Sequence, residues 1–179
     1  MAELIIVLVV FIRLLVPFSI LRWPFWGMVA ALVADTFDLT VLRFFGWDSF
    51  GFAGYQLTDK LLDLYYLSFG LYATTRLGED VARRTLRVLF FWRFAGVVLF
   101  EITGLRVLLF FAPNLFEYLY LGAFGAKTFF SARLTPRLLI VLLFLSVALK
   151  LPQEYVMHYL EFPWGFGNFT EGLKQLFLR

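Results

Sequence analysis

The chain has no cysteine, one histidine and few charged residues, and each shortage excludes a class of site. Without cysteine it can form no disulfide, no thiolate nucleophile and no cysteine-ligated iron–sulfur cluster. With His158 alone it cannot build a metal centre from several histidines. Charged residues make up 16% of the sequence, against about 25% in soluble domains, so too few are present to cover a water-facing surface.

Apolar residues are correspondingly abundant. Hydrophobic side chains make up 61% of the chain, with 24 Phe among them, whereas soluble domains average about 45–50% apolar residues. A chain of 179 residues is too short to bury such an excess in one core. The composition therefore predicts an all-α, polytopic transmembrane helical bundle, in which residues 1–179 form one integral membrane domain.

Apolar segments define the bundle, since a span needs about 20 mainly apolar residues. The region 104–130 is ambiguous, because it fits either a broken span carrying Pro113 or a re-entrant pair. The total is therefore five to six spans, with 46–54 as a loop and 153–162 as a short interfacial helix. The clear spans are 4–21, 24–45, 55–75, a fourth reaching at least Glu101, and 138–149. Arg13 interrupts the first span, which is kinked or ended near Pro17, and Pro152 ends the last.

Two basic segments favour six spans over five. One lies between Arg76 and Arg87, and the other between Lys127 and Arg137. Cytoplasmic loops carry an excess of Lys and Arg, which predicts that both segments lie on the cytoplasmic side. An even number of crossings must then separate them, as it does when 104–126 crosses the membrane.

Four carboxylates lie within the second and third predicted spans. Asp35 and Asp38 are three residues apart, and Asp59 and Asp63 are four apart, so each pair shares one helix face. Because a short loop joins the two spans, we expect them to pack antiparallel. The four carboxylates should then meet at one membrane depth.

Two explanations of this acidic cluster stay open. An Asp near the bilayer centre costs about 2.5–3.5 kcal/mol on insertion scales, so the acids must face a cavity, a cation or one another. Oxygen-rich clusters suit Mg²⁺ or Mn²⁺ and the phosphates bound to them. All four aspartates are then candidate metal ligands, and the nearby Arg43 and Lys60 are candidate phosphate or nucleotide ligands. Alternatively, the acids pair with Arg43, Arg93 or Lys60 and hold helices together.

The spacing of these acids resembles the signature of the CDP-alcohol phosphotransferases, which are small six-span membrane enzymes. That signature is D-x2-D-G-x2-A-R followed by G-x3-D-x3-D, and the resemblance covers residues 1–75. The matching residues are Asp35, Asp38 and Arg43 in the first half and Gly51 and Asp59 in the second. Its Gly, Ala and third Asp positions are occupied here by Leu39, Leu42 and Tyr55.

The resemblance implies a divalent-metal-dependent transferase acting on a lipid or nucleotide-linked phosphate. It implies Asp35 and Asp38 as metal ligands, Asp59 as the general base and Arg43 as part of the nucleotide site. Mg²⁺ or Mn²⁺ would be the cofactor.

Polar residues in the later spans support further interpretations. Arg93 and Glu101 are eight residues apart on one face of the fourth span, and we interpret them as structural charge pairs with the acids of spans two and three. The run Pro113-Asn114 with Glu117 fits either a re-entrant anion site or an ordinary helix start, where an acidic side chain is stabilised by the helix dipole.

Three functions remain open from the sequence. The first is the metal-dependent, transferase-like protein. The second is a non-catalytic membrane subunit or lipid-binding scaffold that uses intramembrane charge pairs, and the third is a small ion or proton transporter. In each case the expected partners are membrane lipids, with other membrane subunits or a second copy of the chain, and no nucleic acid.

Overall fold

The computed structural model describes residues 2–44, 52–105 and 107–154, and this part of the chain is helical without a β-strand. The predicted all-α class is thereby confirmed for these residues. A short 3₁₀ turn, Thr74–Arg76, follows the fourth helix. The eight α-helices of the described residues are α1 (Ala2–Leu15), α2 (Phe18–Arg22), α3 (Pro24–Phe44), α4 (Phe52–Ala73), α5 (Asp80–Thr103), α6 (Val107–Phe111), α7 (Leu115–Phe130) and α8 (Pro136–Glu154).

The first two helices form one broken segment. α1 ends two residues before Pro17, which has no N–H with which to continue the helical hydrogen bonds, and α2 starts directly after it. α3 then begins at Pro24, a first position where the missing N–H has no cost. Gly27 allows α3 to approach α2 closely, because a Cβ there would lie 2.4 Å from the Ile20 nitrogen.

Short links between successive long helices make them antiparallel neighbours around one core. α3 packs against α1, α2, α4 and α7, while α7 also packs on α5 and α8. α7 is therefore the central helix of the bundle. The largest fully buried side chains at its contacts include Ile20, Met28, Leu67, Phe116, Leu119 and Tyr120.

The region that was ambiguous in the sequence folds as two helices, α6 and α7, separated by the non-helical residues 112–114. α5 holds this break in place. The Trp92 indole N–H donates to the Phe111 carbonyl at 3.0 Å, and the Arg93 guanidinium donates to the Ala112 carbonyl at 3.0 Å. These side chains satisfy carbonyls that the end of α6 leaves without a helical partner.

Outward-facing side chains of the described residues are largely apolar, while several charged side chains are buried. Ile102 and Phe144 are 75% and 72% exposed, whereas Arg13 is 4% exposed. This is the reverse of the distribution in a water-soluble domain. By length and composition, Val107–Phe130 can cross a membrane, and Pro24–Phe37 is a shorter apolar helix.

Two basic segments meet at one end of the bundle. Glu79, in the α4–α5 link, forms an ion pair with the Lys127 ammonium at 2.7 Å and accepts a hydrogen bond from the Leu134 N–H at 3.3 Å. Lys127 lies in the last turn of α7 and Leu134 just precedes α8, so the two links are adjacent. We call this end the basic end, and it comprises Arg22, Arg76, Arg83, Arg84, Arg87, Lys127, Arg133 and Arg137.

Glu79 is expected to make the basic end sensitive to acid. The Lys127 ammonium beside it holds the pKa of the Glu79 carboxyl below its ordinary value of 4.5. A lowered pKa stabilises the folded state above that ordinary value, and the contribution is lost as the pH falls through the folded pKa. The thermal stability of wild type should therefore exceed that of Glu79→Gln at neutral pH. The difference in melting temperature between the two proteins should become smaller below pH 4.5. A difference that does not change with pH would contradict this role of Glu79.

Two details differ from the sequence-based expectations. The predicted end at Pro152 was wrong, since α8 continues to Glu154; a proline in the last turn removes only one helical hydrogen bond. Part of the expected 46–54 loop is helical, because α4 begins at Phe52. The expected interfacial helix 153–162 extends beyond the described residues.

Candidate functional site

Arg13 of α1 lies at the centre of a cluster of charged side chains inside the bundle. Its Nη1 donates to Asp59 Oδ1 at 2.7 Å, and its Nη2 donates to Asp63 Oδ1 at 2.9 Å. Nη2 also donates to Asp35 Oδ1. The Arg13 side chain is 3% exposed, so this guanidinium exchanges its water shell for three carboxylates. We call these four side chains the Arg13 cluster.

The cluster joins three helices at mid-height of the bundle. Asp59 and Asp63 are one turn apart on α4, Asp35 belongs to α3, and Arg13 belongs to α1. Asp63 lies ten residues before Ala73, the last residue of α4, which places it about 15 Å from the basic end at 1.5 Å per residue. That is half of a hydrocarbon layer about 30 Å thick.

The three carboxylates of the Arg13 cluster are crowded. Their oxygens include a set that lies within 4.8 Å of one another. Side-chain exposure is 26% for Asp35, 31% for Asp59 and 19% for Asp63. Carboxylates this close need a cation or a shared proton between them. Arg13 supplies one cation, and Mg²⁺ or Mn²⁺ is another that this oxygen set could hold.

Lys60, expected near the acids, contacts a different helix. Its ammonium lies 3.1 Å from Glu101 Oε1 of α5 and 3.9 Å from the centre of the Phe100 ring. Lys60 follows Asp59 directly, so it points about 100° away around α4 and does not reach the Arg13 cluster. Glu101 is thus paired with Lys60, and Arg93 bonds to a backbone carbonyl, so among the described side chains neither pairs with Asp35, Asp59 or Asp63.

Two other predicted site residues are Asp38 and Arg43, and their side chains lie outside the described part of the chain. Arg13 itself was missed, although the sequence offered one signal for it. It is an arginine within an otherwise apolar span, and such a residue needs a counter-charge inside the bundle.

A second group of buried polar side chains lies next to the first. The Tyr66 hydroxyl donates to Glu117 Oε2 at 2.7 Å, and the Asn114 amide donates to the same oxygen at 2.8 Å. Tyr66 is one turn beyond Asp63 on α4, so this group continues the polar stripe of that helix. All three side chains are buried, and the carbonyl oxygen of the Asn114 side chain has no hydrogen-bond partner among the described residues. The Lys150 ammonium of α8 also interacts electrostatically with the Glu117 carboxylate.

Together the two groups connect α1, α3, α4 and α7 by side-chain hydrogen bonds through the interior. Chemically, such an arrangement can lock helices against one another, or it can hold a cation between its carboxylates. Comparison of the chain with family models, with curated proteins and with solved structures finds no match. The function of the protein is therefore inferred from the geometry of these residues.

Proposed function

We propose that this protein is a six-span integral membrane protein and that it is non-catalytic. In this proposal it acts as a membrane subunit or scaffold whose helices are locked together by the Arg13 cluster. Its apolar outer surface supports the membrane location, because side chains such as Ile102 and Phe144 are exposed while Arg13 is buried. Charged side chains in a bilayer face the bundle interior and pair with one another.

The lengths and connections of the helices support six crossings. α3, α4, α5 and α8 have 21, 22, 24 and 19 residues, close to the roughly 20 residues that a span requires. The remaining two crossings are the broken segments α1–α2 and α6–α7. A non-helical break is tolerated at membrane depth when it is buried in protein, and the buried Ala112 and Asn114 meet that condition.

One observation carries the non-catalytic proposal: the Arg13 guanidinium stands among the carboxylate oxygens that a metal ion would otherwise use. Nη2 contacts both Asp35 and Asp63, and Nη1 contacts Asp59. Arginine cannot be deprotonated in proteins, so it is a permanent counter-charge that fixes α1 to α3 and α4. A pair of this kind is costly to break, because each partner is then left as an uncompensated charge.

The absence of cysteine allows a direct test of the six crossings. Single-cysteine variants Gly78→Cys and Arg133→Cys, both in exposed links at the basic end, should react with a membrane-impermeant maleimide from the same side. Leu105→Cys, one helix length away, should react only from the other side. Phe144→Cys on the outer face of α8 should react only after detergent is added. Labelling of Gly78→Cys and Arg133→Cys from opposite sides would overturn the six-span arrangement.

A metal-dependent transferase is the second candidate function, and one observation favours it. The oxygens of Asp35, Asp59 and Asp63 are close enough together to ligate one ion, and all three side chains are partly exposed. The resemblance to the CDP-alcohol phosphotransferases would then assign metal ligation to Asp35 and general-base catalysis to Asp59. In that case Mg²⁺ or Mn²⁺ would position a phosphate and neutralise its leaving group.

Calorimetric titration with Mn²⁺ and Mg²⁺ separates the two candidates. The scaffold predicts no saturable binding to wild type, and the transferase predicts binding that disappears in Asp63→Asn. Glu101→Gln is a matched control, because it removes an exposed carboxylate outside the Arg13 cluster. Binding to wild type that is lost in Asp63→Asn and kept in Glu101→Gln would replace the scaffold with the transferase. Turnover of CDP-linked alcohols would then be the next assay.

A further inference from the structure

The basic end carries arginines that have no acidic partner among the described residues. The acids of the two links are already used, since Glu79 pairs with Lys127 and Asp80 pairs with Arg83. The remaining cations are six arginines, and all of them are exposed. They are Arg22, Arg76, Arg84, Arg87, Arg133 and Arg137.

Exposed aromatic rings lie beside these arginines where α3 begins. Trp23 and Trp26 are 61% and 58% exposed, and the Trp26 ring stands edge-on to Phe129 of α7 with their centres 6.0 Å apart. Tryptophan is enriched where hydrocarbon meets head groups, because its ring is apolar and its N–H is polar. The rings therefore mark the level at which lipid head groups would contact this end.

Two of the arginines flank that aromatic patch. Arg22 directly precedes Trp23 in the sequence. Arg76 interacts electrostatically with Tyr120, whose hydroxyl donates to the Pro24 carbonyl at 3.3 Å. Arg76 ends the turn that follows α4, and the antiparallel packing of α3 and α4 puts that end beside the start of α3. Arg22 and Arg76 thus lie at the same end of the bundle as Trp23 and Trp26.

We propose that the basic end binds the phosphate head groups of anionic phospholipids, with Arg22 and Arg76 as the ligands nearest to Trp23 and Trp26. A guanidinium binds phosphate oxygens through two parallel hydrogen bonds. Exposed rings at the same place favour a lipid over free phosphate, because only a lipid also covers apolar surface. This inference rests on the membrane location proposed above. It adds that the bound lipid is anionic and that it binds at the basic end of the bundle.

Quenching of the fluorescence of Trp23 and Trp26 by brominated lipids measures which lipid lies beside the basic end. A background with Trp47→Phe, Trp92→Phe and Trp164→Phe leaves Trp23 and Trp26 as the fluorophores. The protein is reconstituted in phosphatidylcholine vesicles that contain either brominated phosphatidylcholine or brominated phosphatidylglycerol, and bromine quenches the nearby tryptophans. Each arginine near the surface should contribute about a five-fold preference for the anionic lipid.

Wild type should therefore show stronger quenching by the brominated phosphatidylglycerol, and high salt should weaken the difference. Arg22→Gln with Arg76→Gln should sharply reduce the preference that Trp23 and Trp26 report, while Arg22→Lys with Arg76→Lys, which keeps the charge, should retain most of it. Equal quenching by the two lipids in wild type, or a preference unchanged in the glutamine variant, would overturn the inference and leave the membrane location intact. No quenching by either lipid would overturn the membrane location itself.

Discussion

Replacing Arg13 with Met is expected to destabilise the protein by about 3–5 kcal/mol, the usual cost of removing one partner from a buried charge pair. Methionine has a similar length and keeps the apolar contacts of the stem. It leaves Asp35, Asp59 and Asp63 without the guanidinium that now bonds to each of them. Unfolding by SDS titration, followed by circular dichroism in mixed micelles, measures the loss.

Arg84→Met is the matched control for this variant. Arg84 is exposed in the first turns of α5 and interacts electrostatically with Asp80, which is also exposed, so its replacement should change stability by less than about 0.5 kcal/mol. If Arg13→Met were as mild as Arg84→Met, the Arg13 cluster would not be a stabilising centre of the bundle.

Glu117→Leu is expected to have the second-largest effect, a loss of at least about 2 kcal/mol. Leucine removes the acceptor for both the Tyr66 hydroxyl and the Asn114 amide. Each buried donor left without a partner costs about 1–3 kcal/mol. Glu117→Gln retains a carbonyl oxygen at nearly the same position, so it should lose much less stability than the leucine variant in the same SDS titration.

Glu101→Leu is the matched control for Glu117→Leu. Glu101 also accepts a hydrogen bond, from Lys60, but this pair is partly exposed and should contribute only about 0–1 kcal/mol. The expected order of stability is wild type, then Glu101→Leu, then Glu117→Leu. A Glu117→Leu variant as stable as Glu101→Leu would show that Tyr66 and Asn114 find other partners.

Much of the helical layout could be predicted because apolar runs and proline positions are local signals. The break near Pro17 and the start of α3 at Pro24 follow from the missing proline N–H. The four-residue spacing of Asp59 and Asp63 likewise fixes their common face on α4. The five or six membrane crossings stay a prediction, whereas the all-α class is confirmed for the described residues.

The partner of the aspartates could not be predicted from these local signals. Arg13 is 22 residues from Asp35 and 50 from Asp63, so only the packing of α1 against α3 and α4 brings them together. Lys60 looked like a nearer cation, yet its place on the helix turns it towards Glu101. The cation nearest in the sequence is thus not the partner of the aspartates, because the rotation of each helix about its axis decides which side chains face one another.

The link between Tyr66 and Glu117 was missed for a similar reason. Glu117 looked like a helix-start acid, since it lies three residues after Asn114, and that local role explained it without a distant partner. Only the position of α7 beside α4 brings it to the Tyr66 hydroxyl. Residues that join two helices in this way carry no periodic signature of their own.

The coupling energy between Arg13 and Asp63 tests the central claim most directly. It is obtained by SDS titration of Arg13→Met, Asp63→Asn and the double variant, with Arg84→Met and Asp63→Asn as the uncoupled control pair. If the two side chains bond inside the bundle as described, the double variant should lose less than the sum of the single losses, with a coupling of about 1–3 kcal/mol. Strictly additive losses, equal to those of the control pair, would contradict the proposal that Arg13 is the counter-charge that locks the bundle.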